Sequence, residues 1–90
     1  MPFENLVLQP ILVNTSSRDT EGCLVLVDAH LVAVLVRLDG EEHGPLRGSW
    51  LLEAGFGPCA EIQDVFPTLW DARIWIRAQL EMDPLSRSEA

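Results

Sequence analysis

The chain contains no lysine: its six basic residues are all arginine, set against fourteen acids for a formal net charge of −8. Such a balance repels phosphate, and the arginines are scattered rather than gathered into the basic stripe that releases counterions from nucleic acid. Nucleic-acid binding is therefore disfavoured, and a strongly acidic chain of this kind is expected to be soluble. Arginine in place of lysine, with abundant Leu, Ala and Val, is also the usage of a GC-rich bacterial genome.

Cysteine is nearly as scarce. Cys23 and Cys59 lie far apart, and with His30 and His43 they show none of the short-spaced pairs, such as C-x₂₋₄-C or H-x₃₋₅-H, that hold zinc. The opening "MPFENLVLQP" has neither the basic region nor the long apolar stretch of a secretory signal. The expectation is a cytoplasmic protein with reduced thiols. Long apolar runs are missing too: the longest, Leu31 to Val36, is six residues, far below the eighteen or so of a membrane-spanning helix.

What remains is ordinary globular composition, 48% hydrophobic and 22% charged in 90 residues. This predicts one domain over residues 1–83, followed by a disordered tail over 84–90. At this length a chain buries only about 60 to 65 per cent of the surface that its unfolded form exposes, so the core is marginal.

The punctuation predicts an α+β fold, a small antiparallel sheet of three to four strands in a meander with one C-terminal helix packed on one face. "NLVLQPILV" reads as an edge strand over Leu6–Val13, where Pro10 is tolerated. After the polar loop Asn14–Gly22, "CLVLV" and "LVAVLVRL" form a hairpin about the turn "DAH" at 28–30, and "SWLLEAG" supplies the next strand. "TLWDARIWIRAQLEMD" reads as helix, with Thr68 as N-cap, Asp71 three residues on, and Pro84 beyond the far end.

Strict alternation along the second hairpin strand puts Val32, Val34, Val36 and Leu38 on one face and Leu31, Ala33, Leu35 and Arg37 on the other. Neither set is polar. One amphipathic helix roofs one face, and antiparallel sheets usually leave the other wet and polar. On the helix, Leu69, Ala72, Trp75, Ile76 and Leu80 gather on one side, while Trp70 and Ile74 fall among the charges. The sequence thus points to a non-catalytic protein-interaction module, a homodimer or a complex with another protein, whose contact residues are Leu31, Leu35, Arg37, Glu53, Trp70 and Ile74. Arg37 and Glu53 are expected to pair across adjacent strands. Burying even about 600 Å² of apolar surface per subunit would contribute about 15 kcal/mol before association costs. The alternative cover is the N-terminal segment folded back over part of the second face.

Candidate chemical sites are weaker. "GFGPCA" at Gly55–Ala60 fits a dinucleotide-binding glycine pattern, but no helix opens at it, so a turn is expected. Asp28, His30, Glu41, Glu42 and His43 read as solvated loop residues, with no metal and no cofactor. Cys59 is placed in a surface loop with no histidine base beside it, so catalysis is not expected. Two other function classes stay open. The first is a nucleic-acid-binding sheet-plus-helix module, which topology alone suggests. The second is a small-ligand binder or enzyme, using a pocket lined by Trp50, Phe56, Phe66 and Trp70 near the glycine-rich connector. A membrane role is excluded.

Overall fold

The computed structural model describes residues 6–14, 19–60 and 62–82. Five strands run in sequence order, β1 (Leu6–Leu12), β2 (Glu21–Val27), β3 (His30–Arg37), β4 (Trp50–Gly55) and β5 (Val65–Phe66), followed by helix α1 (Leu69–Met82). Every neighbouring pair is antiparallel and the spatial order equals the sequence order, so the sheet is a simple meander with edges at β1 and β5. The expected meander and helix are present, with one more strand than the sequence predicted. Residues 1–5, Pro84 and the tail lie outside the described residues, and Leu6–Leu12 pairs at the sheet edge as β1 rather than folding back over the second face.

The β2–β3 hairpin turns on Asp28 and Ala29, both at positive φ (52° and 68°). That is the backbone of a two-residue type I′ turn, whose twist matches the flanking strands. Asp tolerates this region, but Ala does not favour it, by about 1 kcal/mol. Ala29→Gly is accordingly expected to raise the unfolding free energy by about 0.5–1 kcal/mol, read as a higher urea midpoint at unchanged m-value.

Helix α1 starts where Thr68 accepts the Asp71 backbone N–H at 3.1 Å and donates its hydroxyl to Asp71 Oδ2 at 2.9 Å. This reciprocal arrangement satisfies an otherwise orphaned donor of the first turn. With no Gly or Pro between Leu69 and Met82, the helix runs 14 residues. It lays Ala72, Ile76 and Leu80 on the sheet against Cys23, Val25, Ala33, Leu35, Trp50 and Leu52, and Trp75 meets Phe66 with ring centroids 5.4 Å apart.

Two β-bulges decide which side chains belong to this core. Val25 pairs with Ala33 but Leu26 with Leu31, so Val32 is the extra residue on β3. Val34 pairs with Ala54 but Leu35 with Leu52, so Glu53 is the extra residue on β4. Each bulge shifts the alternation by one, and Leu31 therefore stands on the opposite face from Ala33 and Leu35.

Candidate functional site

The face of the sheet turned away from α1 can be read row by row from the register. Val7, Leu26 and Leu31 form the row nearest the hairpin turn; Gln9, Leu24, Val34 and Ala54 form the middle row. Ile11, Gly22, Val36, Leu51 and Val65 form the far row. None of these paired positions carries a charge, and Gln9 alone has a polar side chain, on a protein of net charge −8.

The face is covered over Val36 in its far row but open at Ile11 at the β1 edge of that row (40% exposed) and along the row nearest the hairpin turn. In the far row Val36 is buried, as is Leu38 just beyond β3. Gly22 makes that closure possible: a Cβ there would lie 2.5 Å from Val13 Cγ2 and 3.4 Å from Ile11 Cγ2. In the near row Val7 is 52% and Leu31 37% exposed, a degree of apolar exposure that a single chain gains by covering.

The residues expected to meet a partner divide in three. Leu31 lies on this open face. Leu35 is fully buried beneath α1 and is withdrawn from the set, because the Val32 bulge sets it in phase with the core. Arg37 does not pair with Glu53: it stands opposite Trp50, and its guanidinium meets Glu21 Oε1 at 3.4 Å and Asp39 Oδ1 at 3.5 Å. Glu53 is the exposed bulge residue. Trp70 and Ile74 are exposed at 62% and 53%, but they point away from the sheet across the helix, with Arg73 stacked 5.4 Å over the Trp70 ring. The second sheet face and the helix pair therefore lie on opposite sides of the molecule and cannot share one contact.

A polar cluster closes the loops at the far end of the sheet. Asp19 is buried, and its Oδ1 accepts the backbone N–H groups of Asp39 at 2.7 Å and Gly40 at 2.9 Å. His43 Nε2 lies 2.6 Å from Asp19 Oδ2, its N–H donating to the carboxylate, and 3.7 Å from Glu42 Oε2. The expectation of solvated loop residues is thus corrected for His43, which the short 3₁₀ segment Glu41–Leu46 turns back onto a carboxylate 24 positions earlier in the chain, whereas Glu42 stays largely exposed. Burial acts to raise the Asp19 pKa. The hydrogen bond from His43, those from the Gly40 and Asp39 amides, and the charge of His43 outweigh it and hold the carboxyl below its ordinary value.

Because the folded pKa is the lower one, Asp19 contributes stability at pH values above the ordinary carboxylate pKa of about 3.9 and loses it as pH falls below that. Asp19→Ala orphans two amides and is expected to cost about 2–3 kcal/mol at neutral pH. The difference from wild type should shrink below about pH 4, as read by denaturant titration across pH.

The remaining candidates separate between core and surface. Cys59 is fully buried rather than in a surface loop, because the short turn Gly57–Cys59 folds its side chain into the core. Both cysteines are free thiols whose pKa burial pushes up, the reverse of an activated nucleophile. The pattern "GFGPCA" forms the end of β4 and this turn. Trp50 and Phe66 are core residues, whereas Phe56 and Trp70 are exposed, so these four aromatics do not line one pocket. An open depression of about 540 Å³ lies beside β1, lined by Pro10, Ile11, Leu12, Thr20, Glu21 and Asp39. Arg37 is held by acids and Arg47 Nε donates to the Asp39 carbonyl at 3.0 Å, which leaves little cationic surface beside the sheet. No helix among the described residues is long and apolar enough to cross a membrane.

Fold and surface together define a small α+β protein, a five-stranded antiparallel meander with one C-terminal helix on one face and an uncharged, partly open face on the other. No family model, curated protein or solved structure matches the chain.

Proposed function

We propose that the protein is a non-catalytic interaction module that assembles as a homodimer through the second face of its sheet. The observation that carries this reading is the uncharged surface of rows Val7–Leu26–Leu31 and Gln9–Leu24–Val34–Ala54, open to solvent on a chain of net charge −8. Two copies of such a chain repel wherever their acids approach, so a self-contact is favoured where the surface has none. Desolvating that face requires no charge to lose its water, and a twofold arrangement sets the same rows against each other. Pro10 removes a donor from the free edge of β1, which disfavours edge-to-edge strand addition and leaves face-to-face packing at about 10 Å as the favoured geometry.

In this reading Leu31 is a contact residue, and Val7 and Ile11 join it. Trp70 and Ile74 are left on the far side of each subunit. Glu53 and Arg37 act at most on the rim. The test is size-exclusion chromatography with light scattering at high micromolar concentration. Wild type should have a dimer mass, and the double variant Val7→Asp/Leu31→Asp, altering two exposed positions, a monomer mass with an unchanged circular dichroism spectrum. Added salt screens repulsion between the acidic subunits and should tighten the dimer, the reverse of its effect on a nucleic-acid complex. A wild-type monomer at several hundred micromolar (about 100-fold above a typical micromolar Kd) would count against the proposal.

A further inference from the structure

The outer side of helix α1 carries a stripe whose charge runs against that of the chain. Trp70, Ile74, Arg77 and Glu81 follow one another at steps of three and four residues, with Arg73 beside them, on the side opposite Ala72, Ile76 and Leu80. Trp70 is 62% and Ile74 53% exposed, and the Arg73 guanidinium lies 5.4 Å from the Trp70 ring centroid. Elsewhere among the described residues, Arg37 is paired with Glu21 and Asp39, and Arg47 donates to a backbone carbonyl. Arg73 and Arg77 form no ion pair among the described residues, on a chain with fourteen acids. Asp71, the nearest acid before them, is held by Thr68 at the helix start. Two guanidiniums one helical turn apart, about 6 Å, thus stand beside an apolar pair with donors that no described carboxylate fills.

We propose that this stripe is a docking site for an acidic protein segment that presents an aromatic or aliphatic side chain between two carboxylates. Charge complementarity selects that occupant. Carboxylates one helical turn apart, or two residues apart in an extended segment, match the Arg73–Arg77 spacing and can take paired guanidinium hydrogen bonds. The apolar residue between them packs on Trp70 and Ile74, and Trp with Arg is the composition of interface hot spots. A second copy is the poorer occupant, because a twofold contact of the stripe with itself turns guanidiniums toward guanidiniums. A nucleic acid or an anionic membrane meets only two arginines here and sweeps its remaining charge past a chain of net charge −8, whereas a short segment approaches the helix alone. The stripe lies across the molecule from the open sheet face, so docking does not depend on the proposed dimer, which would carry one stripe on each outer side.

The test pans a displayed library of short random peptides against the full-length chain and measures the enriched sequences, as synthetic peptides, by fluorescence anisotropy. Enriched peptides should share two carboxylates flanking an apolar residue and bind with Kd of about 10 μM. Trp70→Ala and the double variant Arg73→Glu/Arg77→Glu, both expected to keep a native circular dichroism spectrum, should each weaken binding by about tenfold or more. Raising salt from about 50 to 500 mM should weaken it as well. Val7→Asp/Leu31→Asp, on the sheet face, should bind as wild type does, which separates this site from the dimer. No enrichment, enriched sequences without acids, or binding indifferent to both helix variants would overturn the proposal. Trp70-dependent binding to vesicles of anionic phospholipid in place of peptides, or a Trp70-dependent rise in mass without any peptide, would overturn it in favour of a membrane or a second copy.

Discussion

Ile76→Asp unfolds the protein, and Ile74→Asp leaves it folded. The two positions are neighbours in sequence and about 200° apart around α1. Ile76 is fully buried between the helix and the sheet, in the cluster that contains Leu35, Leu52 and Leu80. A carboxylate there has no partner and must either stay charged in an apolar site or take up a proton. Either route costs several kcal/mol, against a total stability of about 5–10 kcal/mol for a domain of this size. Ile74 is 53% exposed on the outer side of the helix, so its replacement stays hydrated. Circular dichroism should show a lost far-ultraviolet spectrum for the first variant and a native one for the second. Because Ile74 lies across the molecule from the open sheet face, Ile74→Asp should also retain the dimer mass.

Gly55→Ala should be nearly as damaging, although it adds one methyl group. Gly55 ends β4 opposite Ala33 and on the same side as α1, where the turn Gly57–Cys59 folds back over it. A Cβ at this position would overlap the Cys59 carbonyl oxygen and lie 2.6 Å from its carbonyl carbon. The obstacle is backbone, and it cannot rotate aside as a side chain would. To relieve it the turn must lift, and with it the fully buried Cys59. A loss of about 3 kcal/mol or more is expected, at the upper end of overpacking effects. Gly44→Ala provides the contrast: φ is +56° and ψ −126°, a backbone that glycine alone adopts readily, but no atom lies within 4 Å of the added carbon, so only the conformational cost of about 1–3 kcal/mol applies. Urea midpoints of the two variants measure the difference, and equal losses would contradict the packing described at Gly55.

The elements that were legible in the sequence are those whose signals are local. The apolar runs on both sides of Asp28–Ala29 declare a hairpin, Thr68 with Asp71 declares a helix start, and the phase of Ala72, Ile76 and Leu80 declares the buried helix side. Strand β5 was not legible, because Val65–Phe66 is two residues long and stands directly before Pro67. The bulges at Val32 and Glu53 were not legible either. An extra residue in a strand is a property of the pairing between strands, and it leaves no mark in an apolar run such as Leu31–Val36. For that reason strict alternation sets Leu35 on the same face as Leu31 and Arg37 beside Glu53, neither of which the pairing allows, while the apolar character of both sheet faces is legible in either phase of β3. Asp19 was missed for a similar reason: its partners, the amides of Asp39 and Gly40 and the ring of His43, are brought to it only by the meander.

The central claim is that a second copy of the chain covers the uncharged sheet face, and isotope-filtered nuclear Overhauser spectroscopy on a mixture of labelled and unlabelled protein tests it most directly. At 10.0 kDa per chain a dimer would be well suited to the method. Contacts between subunits should arise from the methyl groups of Val7, Leu24, Leu26, Leu31 and Val34. Their absence from these residues in a sample of dimer mass, or their appearance at Trp70 and Ile74 alone, would contradict the claim and move the interface to the helix.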